Sequence, residues 1–337
     1  MNNRTRRNVR KNKRKRIVRF ALLFFFIISV GAGLYVYNIY SDVASAIDKM
    51  HNPISREKSK KRETKVEFDR KDPISLLLVG VDERDGDAGR TDSMLVLTVN
   101  PETKSTKIVS IPRDTRSKIV YSDDPDRLRY DKMNHAYAIG GIEMTIDSVE
   151  YFLNIPIDYY VEVSMEGFKD IVDAVDGIDV YNKYAFELDG VYLEEGSHHL
   201  NGEEALMYAR MRKQDPRGDF GRQERQREVI SKVIDKGASL SSLTNYNDIL
   251  EALQDNIKTN LTLDDMIGIQ AKYKKAAASI EKLEIEGEGD NLDNGSGLTS
   301  WYFIVNDETR QELSNKLRQH LDLSPSTVST SDTDYNS

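Results

Sequence analysis

The sequence predicts an α/β protein with one folded body behind a single membrane-spanning helix. Short aliphatic or β-branched runs bounded by Asp, Gly, Asn and Pro recur along the chain. Amphipathic segments with helical spacing separate them. One further stretch, Phe20–Ser41 (FALLFFFIISVGAGLYVYNIYS), is uncharged and close in length to the ~20 residues a helix needs to cross a bilayer core.

The anchor comes first in the chain. Residues 1–19 hold seven Arg, three Lys and no acid, and Tyr35, Tyr37 and Tyr40 mark the far end of the apolar stretch. Basic residues stay cytoplasmic and amphipathic aromatics favour the interface, so this is a single-pass type II membrane protein with its body outside the cell. A cleaved signal peptide competes, since Ala44-Ser45-Ala46 has the cleavage form, but signal peptides carry an apolar region of only ~7–15 residues. Residues 42–71 are polar and read as a stalk that lifts the body off the membrane. The body runs over 72–323, and residues 324–337 hold too little apolar content to fold, so they read as a disordered tail.

Within the body, Ser75–Val81, Ser93–Val99 and Lys107–Ile111 are strand candidates. Lys132–Gly141 leads into a helix over 142–153. Tyr159–Val163 is a strand, Met165–Val175 a helix with Phe168, Ile171, Val172 and Val175 on one face, and Ile178–Tyr181 a strand. Residues 182–201 form a loop or hairpin. Helices over Gly202–Arg212 and from Gly221 to about Lys236 follow, then amphipathic runs at 247–258 and 262–276. Ile280–Ile285 and Trp301–Val305 are strands either side of a loop at 286–298, and Asp307 is expected to cap a final helix to Leu321. The apolar faces at 142–153 and 165–175 read first as core.

The net charge of −8 is uneven. The first nineteen residues carry +10, so the remainder carries −18. An acidic body excludes general nucleic-acid binding, which needs a basic face. With no cysteine, a disulfide scaffold and thiol catalysis are excluded too. Phosphate-loop, dinucleotide, H-E-x-x-H and G-x-S-x-G patterns do not occur. The histidine pair His198-His199 has no partner at metal-ligand spacing, and His135 reads as a packed structural residue.

Against this background Tyr208–Gln226, YARMRKQDPRGDFGRQERQ, stands out. It holds Arg210, Arg212, Arg217, Arg222 and Arg225 on two helices around a Pro/Gly turn. Guanidinium forks match phosphate oxygens two at a time, although most charge runs are solvated faces. The loop Asp82–Thr91 contributes Asp82 and Arg90 and is followed by Asp92, and Arg113-Asp114-Thr115-Arg116 follows the third strand. Loops beyond strand ends are where open α/β sheets gather ligands. Carboxylates that hold Mg²⁺, set beside arginines, neutralise phosphate.

The segments LLLVGVDER, GRTDSMLVLTVNP, IVSIPRDTR, KMNHAYAIGG, VSMEGFKDIVDAVDGIDV, LNGEEALMYARMR and DPRGDFGRQERQREVI, spanning about residues 74–230, resemble the LytR-CpsA-Psr family of bacterial cell-wall enzymes in order and spacing. After about residue 240 the likeness is loose.

The resemblance implies one extracellular catalytic domain, with a central mixed β-sheet flanked by helices and an apolar groove for a polyprenyl chain. It implies transfer of a glycopolymer, of the wall teichoic acid or capsule type, from an undecaprenyl-pyrophosphate carrier to peptidoglycan. The bond formed is a phosphodiester to N-acetylmuramic acid. The family's metal-binding aspartates fall on Asp82 and Asp92, for Mg²⁺ or Mn²⁺. Pyrophosphate binding falls on Arg90, Arg113, Arg210, Arg212, Arg222 and Gln226, with Arg116, Asp219 and Arg225 inside the matched motifs. Asp82, Asp92, Arg113 and Arg212 are the residues expected to carry catalysis; Lys213 and Arg217 are expected to be dispensable. The implied partners are the lipid-linked polymer, peptidoglycan and membrane lipid. Two other readings remain at this point: a hydrolase of the lipid pyrophosphate, and a non-catalytic membrane regulator.

Overall fold

The computed structural model describes residues 37–38, 40–82, 89–121, 128–239, 253–293 and 299–329. The chain divides into a unit Met1–Ile47, helical where described, and a body from Asp48 onward. Most of the expected membrane span lies outside the described residues. Among the described residues no helix is long and apolar enough to cross a membrane.

The body is built on a six-stranded mixed sheet in the order β11-β6-β1-β2-β3-β12. Its centre is β1 (Ile74–Asp82), antiparallel to β2 (Arg90–Asn100) and parallel to β6 (Tyr159–Ser164). The strands β3 (Ser105–Ser110) and β12 (Ile280–Leu283) extend one side, and β11 (Ile257–Thr259) closes the other. These strands are aliphatic on both faces, as expected of a sheet covered on both sides.

One face packs a closed core. Leu77, Val79, Met94, Val96 and Val109 meet helix α1 (His135–Leu153) and the last helix, α6 (Asp307–His320). The other face carries Leu76, Leu78, Leu95, Leu97 and Ile108 beneath helix α4 (Asp219–Ser239). Helices α2 (Met165–Ala174) and α3 (Gly202–Arg210) pack against each other near the same face. Gly202 makes that contact: a Cβ there would lie 2.4 Å from the Lys169 carbonyl oxygen.

Several elements differ from expectation. The helix expected over 142–153 is present, and a further helical turn from His135 precedes it within α1, the two separated by a kink at the non-helical Gly140 and Gly141. A hairpin of β4 (Arg116–Val120) and β5 (Leu128–Lys132) forms where no strand was expected. The loop at 286–298 contains β13 (Glu288–Asp293), paired with β14 (Thr299–Ile304). Residues 257–259, expected to be helical, form an edge strand. The last helix is capped by Asn306, whose side chain accepts from the Thr309 N–H, and Asp307 is its first residue.

The stalk reading needs correction beyond Asp48. Residues 51–71 are strapped to the body: Arg56 pairs with Asp147 (2.9 Å) and Glu150 (2.7 Å), and Arg62 with the buried Asp158 (2.5 Å). Tyr160 donates to the Asn52 carbonyl (2.7 Å). The basic residues that suggested a solvated segment neutralise acids on the body. Residues 324–329 are likewise docked rather than disordered. Arg318 donates to the Ser324 carbonyl (2.7 Å), Arg310 to that of Ser329 (3.1 Å), and Val328 is buried. Residues 330–337 lie outside the described residues.

Candidate active site

Between the sheet and helices α2, α3 and α4 lies a cavity of about 650 Å³. Its floor is Leu78, Gly80, Ser93, Leu95, Val161 and Val163; its walls include Phe168, Ile171, Leu206, Val229, Ile230 and Val233. Gly80 and Ser93 face each other across the β1–β2 pair, and a Cβ on Gly80 would meet the Ser93 Oγ at 2.4 Å. Small residues here thin the sheet end that leads to Asp82 and Asp92. Most of the lining is apolar, and the volume is within the usual size range of small-molecule pockets.

The lining is not wholly apolar. Arg113, Arg210, Arg212, Arg222 and Gln226 contribute to the same cavity. Arg113 follows β3, whose end is fixed by the Ile111 N–H donating to the Met94 carbonyl (2.9 Å). Arg113 pairs with Asp114 (3.5 Å), which also holds Lys132 (2.8 Å). Arg210 ends helix α3, which starts with a reciprocal Asn201/Glu204 capping box. It pairs with Asp189 (3.3 Å), at the tip of the hairpin β8 (Phe186–Leu188) and β9 (Val191–Leu193). Arg212 is exposed. Arg222 and Gln226, four residues apart on helix α4, share one face, and Arg222 pairs with Asp219 (2.7 Å).

The strand ends add Asp82, Arg90 and Asp92. Asp82 is paired in register with Arg90, and a β-bulge after Gly80 leaves Asp92 as the extra residue on β2. Backbone pairing thus places residues 82 and 92 at one end of two neighbouring strands, the end where Arg113 leaves β3.

Arg116 does not join this wall. Its guanidinium lies over the Tyr130 ring at 4.5 Å. Arg217 pairs with Asp215 and Glu224, away from the cavity lining. Arg225 is buried and donates to backbone and to Asp215. Lys213, expected to be inert, does line the cavity, as do Gln214 and the hairpin residues Glu187 and Leu188. A loop or hairpin was expected over 182–201, but the place of β8 and β9 at the cavity is tertiary. Of the two apolar helix faces, the one at 165–175 lines the cavity and the one at 142–153 is core.

His135 is structural, paired with Asp131 at 2.8 Å. Burial alone would raise the Asp131 carboxyl pKa, but hydrogen bonds from His135 and the Lys132 N–H outweigh it and hold the value below normal. His199 pairs with Asp179 (2.8 Å). Among the described residues no cluster of three or more metal-ligating side chains occurs.

An apolar cavity lined at one part by guanidiniums can receive a lipid with an anionic head. A family model places the chain in a known class: it belongs to the LytR_cpsA_psr family, matched over residues 37–319. It is 47% identical over 310 residues to the polyisoprenyl-teichoic acid–peptidoglycan teichoic acid transferase TagU of Bacillus mycoides, covering 92% of this chain and 99% of that protein. Among solved structures it resembles TagT bound to LIIa-WTA, with a TM-score of 0.67 and 34% identity over 81% of this chain and all of that one. It also resembles the LytR-CPS2A-psr family protein YwtF (TagT) with bound octaprenyl pyrophosphate lipid, with a TM-score of 0.63 and 31% identity over 81% of this chain and 100% of that one.

Proposed function

We propose that this protein transfers a teichoic-acid-type glycopolymer from a polyprenyl-pyrophosphate carrier to peptidoglycan. The observation that carries the reading is the joining of one apolar cavity to Arg113, Arg210, Arg212, Arg222 and Gln226. That cavity has the two-part character of a prenyl chain and its pyrophosphate. The close relatives are transferases of this kind by name.

In the reaction, a muramic acid hydroxyl oxygen attacks the phosphorus that carries the polymer. Its bond to the bridging oxygen breaks, and polyprenyl phosphate leaves with the electron pair. The hydroxyl proton passes to a base. Phosphoryl transfer asks the protein chiefly for position and charge neutralisation. Arg210 at the end of α3 and Arg212 just after it, Arg222 and Gln226 on α4, and Arg113 after β3 would grip the pyrophosphate from different sides. Arg90, which the backbone register places opposite Asp82 at the strand ends, would extend the grip. Asp82 and Asp92 would hold Mg²⁺, which supplies further neutralisation of the phosphates when bound.

The protein works as a single-pass membrane protein anchored through Phe20–Ser41, with its ten N-terminal charges inside the cell. Each CH₂ of a prenyl tail removed from the bilayer costs ~0.8 kcal/mol unless an apolar surface receives it, so the cavity must meet the carrier at the membrane. The test is incubation of the protein with Mg²⁺, a lipid-pyrophosphate-linked polymer and peptidoglycan oligomers, followed by mass spectrometry. A phosphodiester-linked product is expected, lost on chelation and in Asp82→Asn. Polymer phosphate released to solution, with none on peptidoglycan, would instead support a hydrolase.

A further inference from the structure

Arg225 belongs to the same charge run as Arg222 but faces another way. It is 5% exposed, does not line the cavity and makes three contacts with protein groups. Its Nε donates to the Tyr208 carbonyl (2.9 Å), one terminal nitrogen to Asp215 (2.5 Å) and the other to the Met211 carbonyl. Tyr208 and Met211 flank Arg210 in helix α3 and its exit; Arg212 follows directly. Arg225 itself sits between Arg222 and Gln226 on helix α4. One side chain thus ties the segment carrying Arg210 and Arg212 to the helix carrying Arg222 and Gln226.

Asp215 completes the tie. Its side chain is fully buried; it also accepts from the Arg217 N–H (2.9 Å) and pairs with the Arg217 guanidinium. It lies against Gly221, where a Cβ would fall 1.8 Å from its Oδ2. Glycine at 221 is therefore a condition for the carboxylate to reach Arg225. Several guanidiniums converge around the cavity, and like charges repel. A buried carboxylate locked behind them opposes that repulsion and holds the two walls at a fixed separation.

We propose that Arg225 and Asp215 are positioning residues that set the spacing of the two guanidinium walls, and that Arg225 does not touch the pyrophosphate. This rests on the reading of the cavity as a lipid-pyrophosphate site. Geometry matters steeply in such a site, since a misplacement of about 1 Å costs on the order of 10²-fold.

The test compares Arg225→Lys and Asp215→Asn in the full-length protein, with octaprenyl pyrophosphate and uncharged octaprenol as probes. Lysine keeps the charge but cannot reach three acceptors. Asparagine removes the carboxylate and leaves Arg225 in place. Both variants are expected to lose about tenfold or more in pyrophosphate-lipid affinity, with octaprenol affinity unchanged. If Arg225 were instead a phosphate ligand, Asp215→Asn would free it and affinity would hold or rise, which overturns the proposal. Equal loss of both probes overturns it too, because the pair would then serve the fold alone. Arg212→Ala is measured alongside. If Arg212→Ala also keeps full pyrophosphate affinity, the reading of the site has failed; if only the two positioning variants do, the proposal alone has failed.

Discussion

The two faces of the central sheet are made from the same strands and do different things. On one, Leu77, Val79, Met94 and Val96 are almost fully buried under α1 and α6. On the other, Leu78, Leu95 and Val163, one residue out of phase, floor a cavity that α2, α3 and α4 cover but do not fill. Alternation along a strand sends neighbours to opposite faces, so a single aliphatic run supplies both a core and a cavity floor. The core face is filled, which stabilises the body, and the cavity face is left open.

Substitutions that separate the faces test this comparison. The largest effect is expected from Leu77→Ala on the closed face. It should cost about 2–5 kcal/mol of unfolding free energy by denaturant titration, with transfer per folded molecule unchanged. Arg212→Ala at the cavity should do the reverse, lowering transfer about 10²–10³-fold with little change in stability. Val163→Trp should fill the open face and weaken octaprenyl pyrophosphate binding about tenfold or more by titration while the melting temperature holds. A large stability loss there would mean that the cavity is packed core.

The smallest effect is a pH dependence on the closed side. His320 is buried, accepting or donating with Thr98 (2.7 Å) and Ser105 (2.9 Å). Burial and nearby Lys107 hold its pKa below the ordinary 6.5. The unfolded chain then binds the proton more readily, so unfolding free energy should fall as pH drops below about 6.5, and His320→Gln should flatten that slope. A slope unchanged in the variant would assign it to other groups.

Sequence legibility divides along similar lines. The central strands were readable because each is a short aliphatic run ended by a breaker. The hairpin Arg116–Val120/Leu128–Lys132 was not, since its strands are charged and hold together by pairing on the surface of α1. The strap at 51–71 misled because basic residues look solvated until Asp147, Glu150 and Asp158 are brought opposite them. At the site, Arg113, Arg210, Arg212, Arg222 and Gln226 were identified through family resemblance, and the fold does bring them to one cavity. Arg116 and Arg225 share the same motifs and the same charge, yet one covers Tyr130 and the other binds backbone.

By itself the sequence determined the α/β order of elements, the acidic body, the apolar stretch before it and the residue types available for phosphate. These follow from local pattern, where side-chain period and charge are already written. Only the tertiary structure decided which arginines face the cavity and which hold it open. That choice depends on helix faces and on contacts across 10–17 residues of chain, such as Arg225 with Asp215 and Tyr208. Charge alone does not encode direction.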